Sequence, residues 1–422
     1  MLLENIVCMF CGALCDDLQV VVEDGVLKEV RNACLISKNK FLHHNRNLAK
    51  PMLNGREVTS KEAIAEAVKI LLEADSPLVY GLSSTSCEAQ KKAIELTELL
   101  GGTIDSTSSV CHGPGTLAKQ IMGVSTATLG EVKNRADLVL FWGCNPAEAH
   151  PRHFSRYSVM PKGMHIPSGR KGRKVVVVDV RPSATTKTAD LFLPIRPNGD
   201  YEFISAIRTL LKGEKVEGEE VAGIPLAQIY SLVEDLKNCQ YGVLFFGMGL
   251  TMTRGKYMNV AAAFSLIRDL NRFTKFVGIP MRGHGNVAGA ENTLSWQTGY
   301  PFAVNFSRGY PQYNPGEFSA VDLLARREVD AALIIASDPF AHFPLKSVEH
   351  LAEIPTIVID PHWNDTAPKA KVVIPSAMTG IHVGGTAYRM DNVPLRLKKV
   401  LSSPYPSDTE ILTEIIEGVK NA

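Results

Sequence analysis

The sequence predicts an α/β protein in which a small cysteine-rich module precedes two related halves, each built on a parallel sheet. Three observations predict this class. An apolar strand with its flanking turn occurs twice, at 136–146 and 329–339. The 422 residues exceed what one compact core usually organises, so two or three domains are expected. Four cysteines stand close to the start of the chain: Cys8, Cys11, Cys15 and Cys34.

The composition limits the classes of function. Its 45 basic and 44 acidic residues nearly cancel, which argues against a nucleic-acid partner. A hydrophobic content of 45% with 33 glycines and 24 prolines is typical of a turn-rich α/β protein. No apolar run is long enough to span a bilayer and no leader precedes the first module, so we expect a soluble, cytoplasmic protein. In that compartment, eight cysteines are more often metal ligands, buried thiols or catalytic groups than disulfides.

The four N-terminal cysteines have the spacing C-x2-C-x3-C-x18-C, three together and one after an excursion. The excursion, residues 18–30, is predicted to be a β-hairpin that turns at Glu23-Asp24-Gly25. Structural zinc sites usually pair their ligands two and two. A cubane iron–sulfur cluster takes three thiolates from one loop and a fourth from a distant segment. The spacing therefore favours an iron–sulfur cluster over zinc, and a disulfide framework least.

The next segment carries the pattern of a βα unit. An amphipathic helix is predicted over 62–73, with Ser60 as its N-terminal cap. A short strand follows at 78–81, and then a helix at 86–100 that stops at Gly101. The first α/β domain is therefore expected to begin near residue 57.

The repeated segment extends beyond its first strand. In each copy an aspartate precedes the strand, and a proline follows nine residues after that aspartate. A second strand comes next, at 175–179 in one copy and 357–360 in the other, and each ends on an aspartate. We predict two copies of one Rossmann-like, nucleotide-binding half, whose ligands lie at the carboxyl ends of the strands.

The turns at these strand ends are the candidate cofactor contacts. Glycines there either simply allow the chain to turn or let backbone amides approach phosphates. Because the turns occur in both copies, phosphate contacts are favoured. The strand-ending Asp179 and Asp360 either accept hydrogen bonds from a ribose hydroxyl or a guanine edge, or cap the next helix, and spacing leaves both open. The remaining turn candidates are Gly143, Asn145, Pro146, Gly247, Gly249 and Asp338.

Cys111 is the interior cysteine with the strongest claim to a role. It lies between Ser108-Ser109 and a His-Gly-Pro-Gly turn, where there is little core to fill. From the sequence alone, a functional thiol and a buried structural thiol are equally expected at this position. His112 either caps this turn or acts as a proton donor beside a reacting centre. Arg282, in a glycine-rich loop, is either an anion clamp or a surface cation.

These motifs together resemble the molybdopterin oxidoreductase superfamily, and within it the B subunits of formylmethanofuran dehydrogenases. The resemblance covers essentially the whole chain. It rests on the N-terminal cysteines and on three further segments: Val110 to Gly115, Gly143 to Pro151, and Arg282 to Asn292.

The resemblance implies a [4Fe-4S] cluster on the four N-terminal cysteines and a tungsten or molybdenum bis-molybdopterin guanine dinucleotide. Cys111 would ligate the metal beside a terminal sulfido group. Arg282 would orient CO2 or formate, and His112 would assist proton or hydride movement. The implied reaction, part of methanogenesis, is the reversible reduction of CO2 to formate with low-potential electrons. Formate would then pass to a separate amidohydrolase-like subunit for condensation with methanofuran.

Two departures from the family pattern stand out. Relatives place a Lys-Gly pair soon after the fourth cysteine, with the lysine between cluster and pterin. Here either Lys38 or Lys40 takes that place. Single-chain relatives also continue into a C-terminal β-barrel, which this chain lacks. We therefore expect partner subunits: a barrel-type subunit that covers the pterins, the amidohydrolase-like subunit and ferredoxin-type electron-transfer subunits.

The resulting domain prediction has three parts. They are a [4Fe-4S] module at 1–56, a first discontinuous α/β domain at 57–134 and 286–422, and a second α/β domain at 135–285. Three alternative functions remain. They are a formate dehydrogenase catalytic subunit, a non-redox structural subunit of a formyltransferase complex, and a zinc-binding scaffold, which is the least expected. The missing barrel and twin-arginine leader count against the usual forms of the first, and the four cysteines with Cys111 count against the second.

Overall fold

The computed structural model describes residues 1–422. Its β-strands, numbered in chain order, are β1 Leu2–Ile6, β2 Leu18–Glu23, β3 Val26–Arg31, β4 Met52–Leu53, β5 Arg56–Glu57, β6 Pro77–Gly81, β7 Thr103–Ser106, β8 Leu138–Trp142, β9 Lys174–Asp179, β10 Leu191–Pro194, β11 Glu220–Val221, β12 Ile224–Pro225, β13 Tyr241–Phe246, β14 Lys275–Pro280, β15 Val304–Asn305, β16 Gln312–Tyr313, β17 Ala331–Ile335, β18 Thr356–Ile359, β19 Val372–Ile374, β20 Gly385–Tyr388 and β21 Pro394–Leu397.

The α-helices, numbered in the same way, are α1 Leu35–Leu42, α2 Ser60–Glu73, α3 Cys87–Leu100, α4 Gly113–Met122, α5 Leu129–Arg135, α6 Pro146–Ala149, α7 Pro151–His153, α8 Asp200–Leu211, α9 Leu226–Asn238, α10 Met248–Thr251, α11 Tyr257–Leu270, α12 Val287–Thr298, α13 Ala320–Arg326, α14 Pro339–His342, α15 Leu345–Leu351 and α16 Asp408–Lys420. A π-helical turn occupies Phe154–Ser158. None of the helices combines the length and apolar character that crossing a membrane requires.

The chain forms two compact units. Unit 1 contains residues 1–110, 284–389 and 394–422, and unit 2 contains residues 111–283 and 390–393. The first 56 residues lie within unit 1, where β4 and β5 pair at one edge of its main sheet, next to β19. Residues 111–134 lie in unit 2, whereas the sequence places them in the first α/β domain. The physical reason is that α4 packs on α11, a helix of unit 2.

Unit 2 is organised around a five-stranded parallel sheet in the order β10-β9-β8-β13-β14. Every residue of the central strands β8 and β13 is buried. Strands covered on both faces read as continuous apolar runs, which is why these two segments are so easily identified in the sequence. Helices α8, α9 and α11 contribute the rest of the core.

Unit 1 is organised around a nine-stranded sheet in the order β16-β15-β7-β6-β17-β18-β19-β4-β5. Its five central strands are parallel, and the outer ones are antiparallel. Alternate residues of β17 enter different cores. Leu333 and Ile335 pack with α2, α3 and α16, whereas Ala332 and Ile334 pack with α13. Helices therefore cover both faces, as expected for a doubly wound sheet.

The repeat predicted from the sequence is present in both sheets. In unit 2 the strands run 3-2-1-4-5 in chain order, as β10-β9-β8-β13-β14. The same positions of the unit 1 sheet are taken by β19-β18-β17-β6-β7, where β6 and β7 come before β17 in the chain and fill positions 4 and 5. The aspartate before the first strand has the same role in both. Asp137 accepts hydrogen bonds from the backbone N–H groups of Gln240 and Tyr241, and Asp330 accepts them from Asp75 and Ser76.

One local prediction needs correction. Thr59, not Ser60, is the cap of α2, because Thr59 and Glu62 form a reciprocal capping box that leaves Ser60 as the first helical residue. After the last strand of the main sheet, β20 and β21 form an antiparallel hairpin. The predicted hairpin over 18–30 is confirmed as β2 and β3, with β1 as a third strand.

Candidate functional site

The four N-terminal cysteines lie in unit 1, where Cys8 and Cys15 are buried and Cys11 and Cys34 are half-buried. The N–H of Cys8 donates to the carbonyl of Cys15 at 2.9 Å and closes the loop. Burial raises the pKa of the Cys8 thiol to about 12, and the neighbouring Cys15 and Cys34 add to the increase. The thiols are therefore close enough to affect one another, and only a cationic centre would keep them as thiolates at neutral pH.

The spacing of these thiols bears on the choice between zinc and a cluster. No three His, Cys, Asp or Glu side chains anywhere in the chain converge closely enough to share one metal ion. Zinc requires all its sulfur ligands at about 2.3 Å from a single ion. In a cubane each iron takes its own thiolate, so the sulfurs stand further apart. The choice of a cluster over zinc at these cysteines stays a prediction.

Cys111 and His112 begin unit 2, a few residues after β7. Cys111 is half-buried, and its carbonyl accepts a hydrogen bond from the Thr251 hydroxyl at 2.7 Å. His112 is buried, and its Nε2 lies 3.1 Å from the carbonyl oxygen of Met281. Because a carbonyl only accepts, this contact places a proton on Nε2. In the neutral imidazole, Nδ1 then carries no proton.

Arg282 follows β14 by two residues and is only 8% exposed, which excludes a surface loop cation. Its carbonyl oxygen accepts a hydrogen bond from Nε2 of His150 at 2.8 Å. Burial lowers the pKa of His150, so this imidazole is neutral at neutral pH. His112 and His150 thus hold the consecutive carbonyls of Met281 and Arg282, and together they fix the backbone that carries the Arg282 guanidinium.

A cavity of about 40 Å³ in unit 2 joins two of the predicted catalytic residues. His112 and Arg282 both line it. It is large enough for a molecule of very few heavy atoms. The rest of its wall is mixed, with polar groups and aromatic rings that include Thr116, Lys119, Phe246 and Phe264.

The glycines predicted to face phosphates pack against one another. Gly143 has φ +57°, and a Cβ on it would stand 2.6 Å from the carbonyl carbon of Gly249. A Cβ on Gly247 would stand 2.5 Å from the carbonyl oxygen of Gly143. The three glycines therefore let the turns after β8 and β13 touch. Any contact with a phosphate is additional to this packing.

The turns after the first strand of each repeat have matching hydrogen bonds. In unit 2, the side chain of Asn145 accepts from the Thr185 hydroxyl, and the turn continues through Pro146. In unit 1, Asp338 accepts from the Thr366 hydroxyl. These side chains join the turns after the first and second strands, which is a structural role that the sequence did not indicate.

A pair of carboxylates lies at the strand ends of each unit. Burial raises the pKa of Asp179 and, in unit 1, raises that of Asp360 to about 7. Their neighbours are Asp200, the first residue of α8, and Asp408, the first residue of α16. Both neighbours are buried, with pKa values that burial raises. In each, one carboxylate oxygen is buried without a hydrogen-bond partner, Oδ2 of Asp200 and Oδ1 of Asp408.

Lys38 and Lys40 have different surroundings. Both are exposed on α1, but the charge of Lys38 acts on Glu29 at the surface. The ammonium of Lys40 lies 5.7 Å from the centroid of the Phe10 ring. Phe10 stands between Cys8 and Cys11 in the chain. The charge of Lys40 also contributes to the lowered pKa of His284, after partial desolvation and the charge of His342. Lys40 is therefore the lysine that faces the cysteine loop.

Three residues of the site are not evident from the sequence. His150 is visible only as a histidine beyond a strand, and its bond to Arg282 depends on a contact between residues 132 positions apart. Asp200 and Asp408 look like ordinary helix starts. Asp200 follows Asp179 by about 20 residues, whereas Asp408 follows Asp360 after an inserted hairpin, so sequence spacing hides their equivalence.

Known proteins resemble this chain over most of its length. The family model for molybdopterin oxidoreductases matches residues 58–417. The B subunit of the tungsten-containing formylmethanofuran dehydrogenase 2 of Methanocaldococcus jannaschii is 50% identical, covering 99% of this chain and 98% of that protein. Its counterpart in Methanococcus maripaludis is 47% identical, with the same coverage of both chains.

A solved structure supports the fold. The formyltransferase/hydrolase complex of Methylorubrum extorquens, in complex with methylofuran, contains a chain that superimposes with a TM-score of 0.73 at 22% identity. The match covers 88% of this chain and 99% of that one. At this identity the likeness shows the fold alone. On the family model and the two half-identical relatives, the chain belongs to the molybdopterin oxidoreductases and, among them, to the family of formylmethanofuran dehydrogenase B subunits.

Proposed function

We propose that this chain is the catalytic subunit of a formylmethanofuran dehydrogenase and that it interconverts CO2 and formate. One observation carries the proposal: His112 and Arg282 line the same small cavity, in the unit that begins with Cys111. The names of the half-identical relatives support it. Reduction of CO2 to formate consumes two electrons and a proton. Formate then passes to a separate subunit that condenses it with methanofuran.

The residues fit a tungsten or molybdenum bis-molybdopterin guanine dinucleotide. Cys111 would ligate the metal, with a terminal sulfido group beside it. The bound metal centre would supply the two-electron redox chemistry. Each unit offers one buried carboxylate oxygen without a partner, on Asp200 and Asp408. Such an acceptor, next to Asp179 or Asp360, suits the N–H donors of a guanine edge, because a buried acceptor is costly to leave unpaired.

The four N-terminal cysteines would hold a [4Fe-4S] cluster that exchanges single electrons with the pterin centre. Lys40 suits the position between cluster and pterin better than Lys38, because it lies over the ring of Phe10, a residue of the cysteine loop. A cation there would stabilise the reduced, more negative cluster. Eight free cysteines are consistent with a reducing, cytoplasmic setting.

The side chains divide the work on the substrate. The guanidinium of Arg282 would bind formate through two parallel hydrogen bonds, or polarise an oxygen of CO2. His150 keeps that guanidinium in register through the Arg282 carbonyl. His112 would move a proton through Nδ1, because Nε2 is engaged by Met281. The aromatic wall of Phe246 and Phe264 keeps bulk water away from the polar end of the cavity.

The proposal implies partners in a multi-subunit complex. A barrel-type subunit would cover the pterins, an amidohydrolase-like subunit would take formate, and ferredoxin-type subunits would supply electrons.

The experiment that tests the proposal is metal analysis and electron paramagnetic resonance of the anaerobically purified complex, together with CO2 reduction driven by reduced methyl viologen. We expect tungsten or molybdenum, about four irons on this chain, and formate as product. Zinc alone, or no turnover with the metal centre loaded, contradicts the proposal.

A further inference from the structure

A buried hydrogen bond joins the two chain segments that pass from one unit to the other. The Ser108 hydroxyl donates to Oε1 of Glu291 at 2.7 Å. Ser108 lies three residues before Cys111, and Glu291 lies nine residues after Arg282. Ser108 and Glu291 belong to unit 1, whereas Cys111 and Arg282 belong to unit 2. The bond therefore links the unit 1 ends of the segments that carry these two site residues.

Glu291 is the only buried glutamate of the chain, with 8% of its surface exposed, and Ser108 is fully buried. A carboxylate in a protein interior is costly unless hydrogen-bond donors satisfy it. The same low dielectric makes a bond from a hydroxyl to a carboxylate stronger than it would be in water. A glutamate at this place can therefore hold the Ser108 segment firmly, which an apolar core residue could not do.

The segment between β7 and Cys111 passes the position of Ser108 on to the cysteine. The carbonyl of Ser106 accepts hydrogen bonds from the N–H of Ser109 at 3.1 Å and from its hydroxyl at 3.0 Å. The N–H of Ser108 donates to the Ser106 hydroxyl at 3.3 Å. One residue separates this closed turn from Cys111, whose carbonyl accepts from the Thr251 hydroxyl at 2.7 Å. A shift of Ser108 would thus move the backbone that carries the Cys111 sulfur.

Glu291 itself stands on a firmly held helix. Asn286 immediately precedes α12, and its side chain donates to the carbonyl of Thr85 and accepts from the N–H of Tyr388, both at 2.7 Å. The backbone carbonyl of Asn286 accepts from the Gln90 side chain at 3.3 Å. These contacts tie the start of α12 to β20 and to α3 with the turn before it. The carboxylate of Glu291 therefore offers Ser108 a fixed acceptor.

We propose that Glu291 is a positioning residue for Cys111, and that it acts through Ser108 to fix the loop from which the Cys111 sulfur reaches the metal. The inference rests on the proposed function, because it requires a metal on Cys111. Groups that orient a metal ligand typically change metal affinity or activity 10- to 100-fold when they are removed. Because Glu291 also lies on the helix that follows the Arg282 loop, the same bond keeps the metal ligand and the substrate-binding guanidinium at a constant separation.

The test uses the complete holoenzyme complex with Glu291→Ala, Glu291→Gln or Ser108→Ala in this chain. Glu291→Ala removes the acceptor, so formate turnover should fall about tenfold while tungsten or molybdenum content stays at the wild-type level. The g values of the paramagnetic metal, which report its ligand geometry, should shift. Glu291→Gln keeps an acceptor oxygen and should restore most of the turnover and the wild-type g values. Ser108→Ala should reproduce the effects of Glu291→Ala.

Two further measurements examine the coupling itself. The double variant Ser108→Ala/Glu291→Ala should be no slower than either single variant, because the two substitutions break the same bond. In the cofactor-free full-length chain, amide hydrogen exchange of residues 107–112 should be faster in Glu291→Ala than in wild type. Exchange in the core strands should stay unchanged. The second measurement does not depend on the metal centre.

The matched control is Glu62, which accepts a hydrogen bond from the Thr59 hydroxyl at 2.8 Å in the capping box of α2. Glu62→Ala should leave turnover and g values unchanged. Wild-type turnover and g values in Glu291→Ala overturn the inference, as do additive losses in the double variant. A loss with unshifted g values, or faster exchange throughout the chain, also overturns it. A wild-type complex that holds neither tungsten nor molybdenum, or that turns over neither CO2 nor formate, refutes the proposed function instead.

Discussion

The two units share one sheet plan, and they also share the place where the chain leaves it, after the fifth strand of that plan. In both, the chain leaves its unit there, after β7 at Val110 and after β14 at Gly283. The helix after β7 belongs to unit 2, and the helix after β14 belongs to unit 1. An ordinary βα loop is short, because its helix must fold back on the same sheet. These two crossing loops are free of that constraint, and they carry Cys111 and Arg282.

The features that the units share and those that they do not share separate two tasks. The shared features are the carboxylate pairs at the strand ends, Asp179 with Asp200 and Asp360 with Asp408. The unshared features, the cavity with His112 and Arg282 and the bond from His150, lie in unit 2 alone. A cofactor with two similar tails and one reacting end would need this division. Substitutions at both kinds of feature test it, from the largest expected effect to the smallest.

The largest effect is expected from Cys111→Ser. A hydroxyl is a poor replacement for a thiolate on a soft metal, so turnover of CO2 and formate should fall by more than about 100-fold. Iron content should stay at the wild-type level. Cys239→Ser is the control, because this thiol follows the end of α9 and contacts the Leu236 carbonyl at 3.3 Å. The test measures turnover rate and metal content in both variants. Unchanged activity in Cys111→Ser would show that Cys111 is not a ligand of the metal.

Arg282→Lys should have the next largest effect. Lysine keeps the charge but not the planar pair of donors, so kcat/KM for formate should fall about 10- to 100-fold. Arg173→Lys is the matched control, because Arg173 is equally buried in unit 2 but donates to the carbonyls of Pro161 and Lys133. Steady-state formate oxidation with a viologen acceptor measures both. A similar loss of kcat/KM in the two variants would show that Arg282 has a structural role and does not bind the substrate.

The fold was more predictable from the sequence than the site. Strands β8 and β17 are buried on both faces, so their apolar runs and following turns are visible in one dimension, and their duplication revealed the sheet plan. The course of the chain after β7 was not predictable. Nothing local in Gly113–Met122 shows that this helix packs on Tyr257–Leu270 and not on the sheet just completed. Helix partners depend on long-range packing, which sequence pattern does not encode.

The site follows the same rule. Cys111, His112 and Arg282 are in loops rich in glycine and polar residues, where few structural reasons for such residues compete, so the sequence alone marks them as candidates. The contacts that hold them depend on the fold. His150 donates a hydrogen bond to the carbonyl of Arg282, and the Thr251 hydroxyl donates one to the carbonyl of Cys111, 140 residues away in the chain. The difference in surroundings between Lys38 and Lys40 likewise depends on the position of Phe10.

His150 and His342 follow the first strand of their respective repeats, and only His150 is buried. His150→Ala should raise KM for formate about tenfold, because loss of one buried hydrogen bond lets the Arg282 backbone shift. His150→Gln, whose amide nitrogen reaches near the position of Nε2, should restore most of the affinity. His342→Ala should change neither constant. If glutamine rescues nothing, the imidazole has a role other than holding the carbonyl.

Asp200→Asn and Asp408→Asn test the features that the units share. Replacing one acceptor oxygen by an amide should weaken each guanine contact by about 1 kcal/mol, a roughly fivefold faster loss of cofactor on mild heating. The two variants should behave alike. Asp190→Asn is the control, because this aspartate instead pairs with Arg170 near the surface. Guanine nucleotide released with time measures the effect, and a loss confined to one variant would break the equivalence of the two units.

The smallest effect concerns the stability of the cofactor-free chain against pH. Burial, with Asp408 and Asp338 nearby, raises the pKa of Asp360 to about 7, whereas an unfolded aspartate titrates near 3.9. Between these values the folded state binds the extra proton. The contribution of Asp360 to stability is therefore fully present below about pH 4 and is lost as the pH rises through 7. Asp360→Asn should flatten the fall in Tm over this range. Asp179→Asn should do so less, because Asp179 is more exposed and lacks two such carboxylate neighbours. An unchanged slope in Asp360→Asn would mean that Asp360 is already charged in the folded protein at acidic pH.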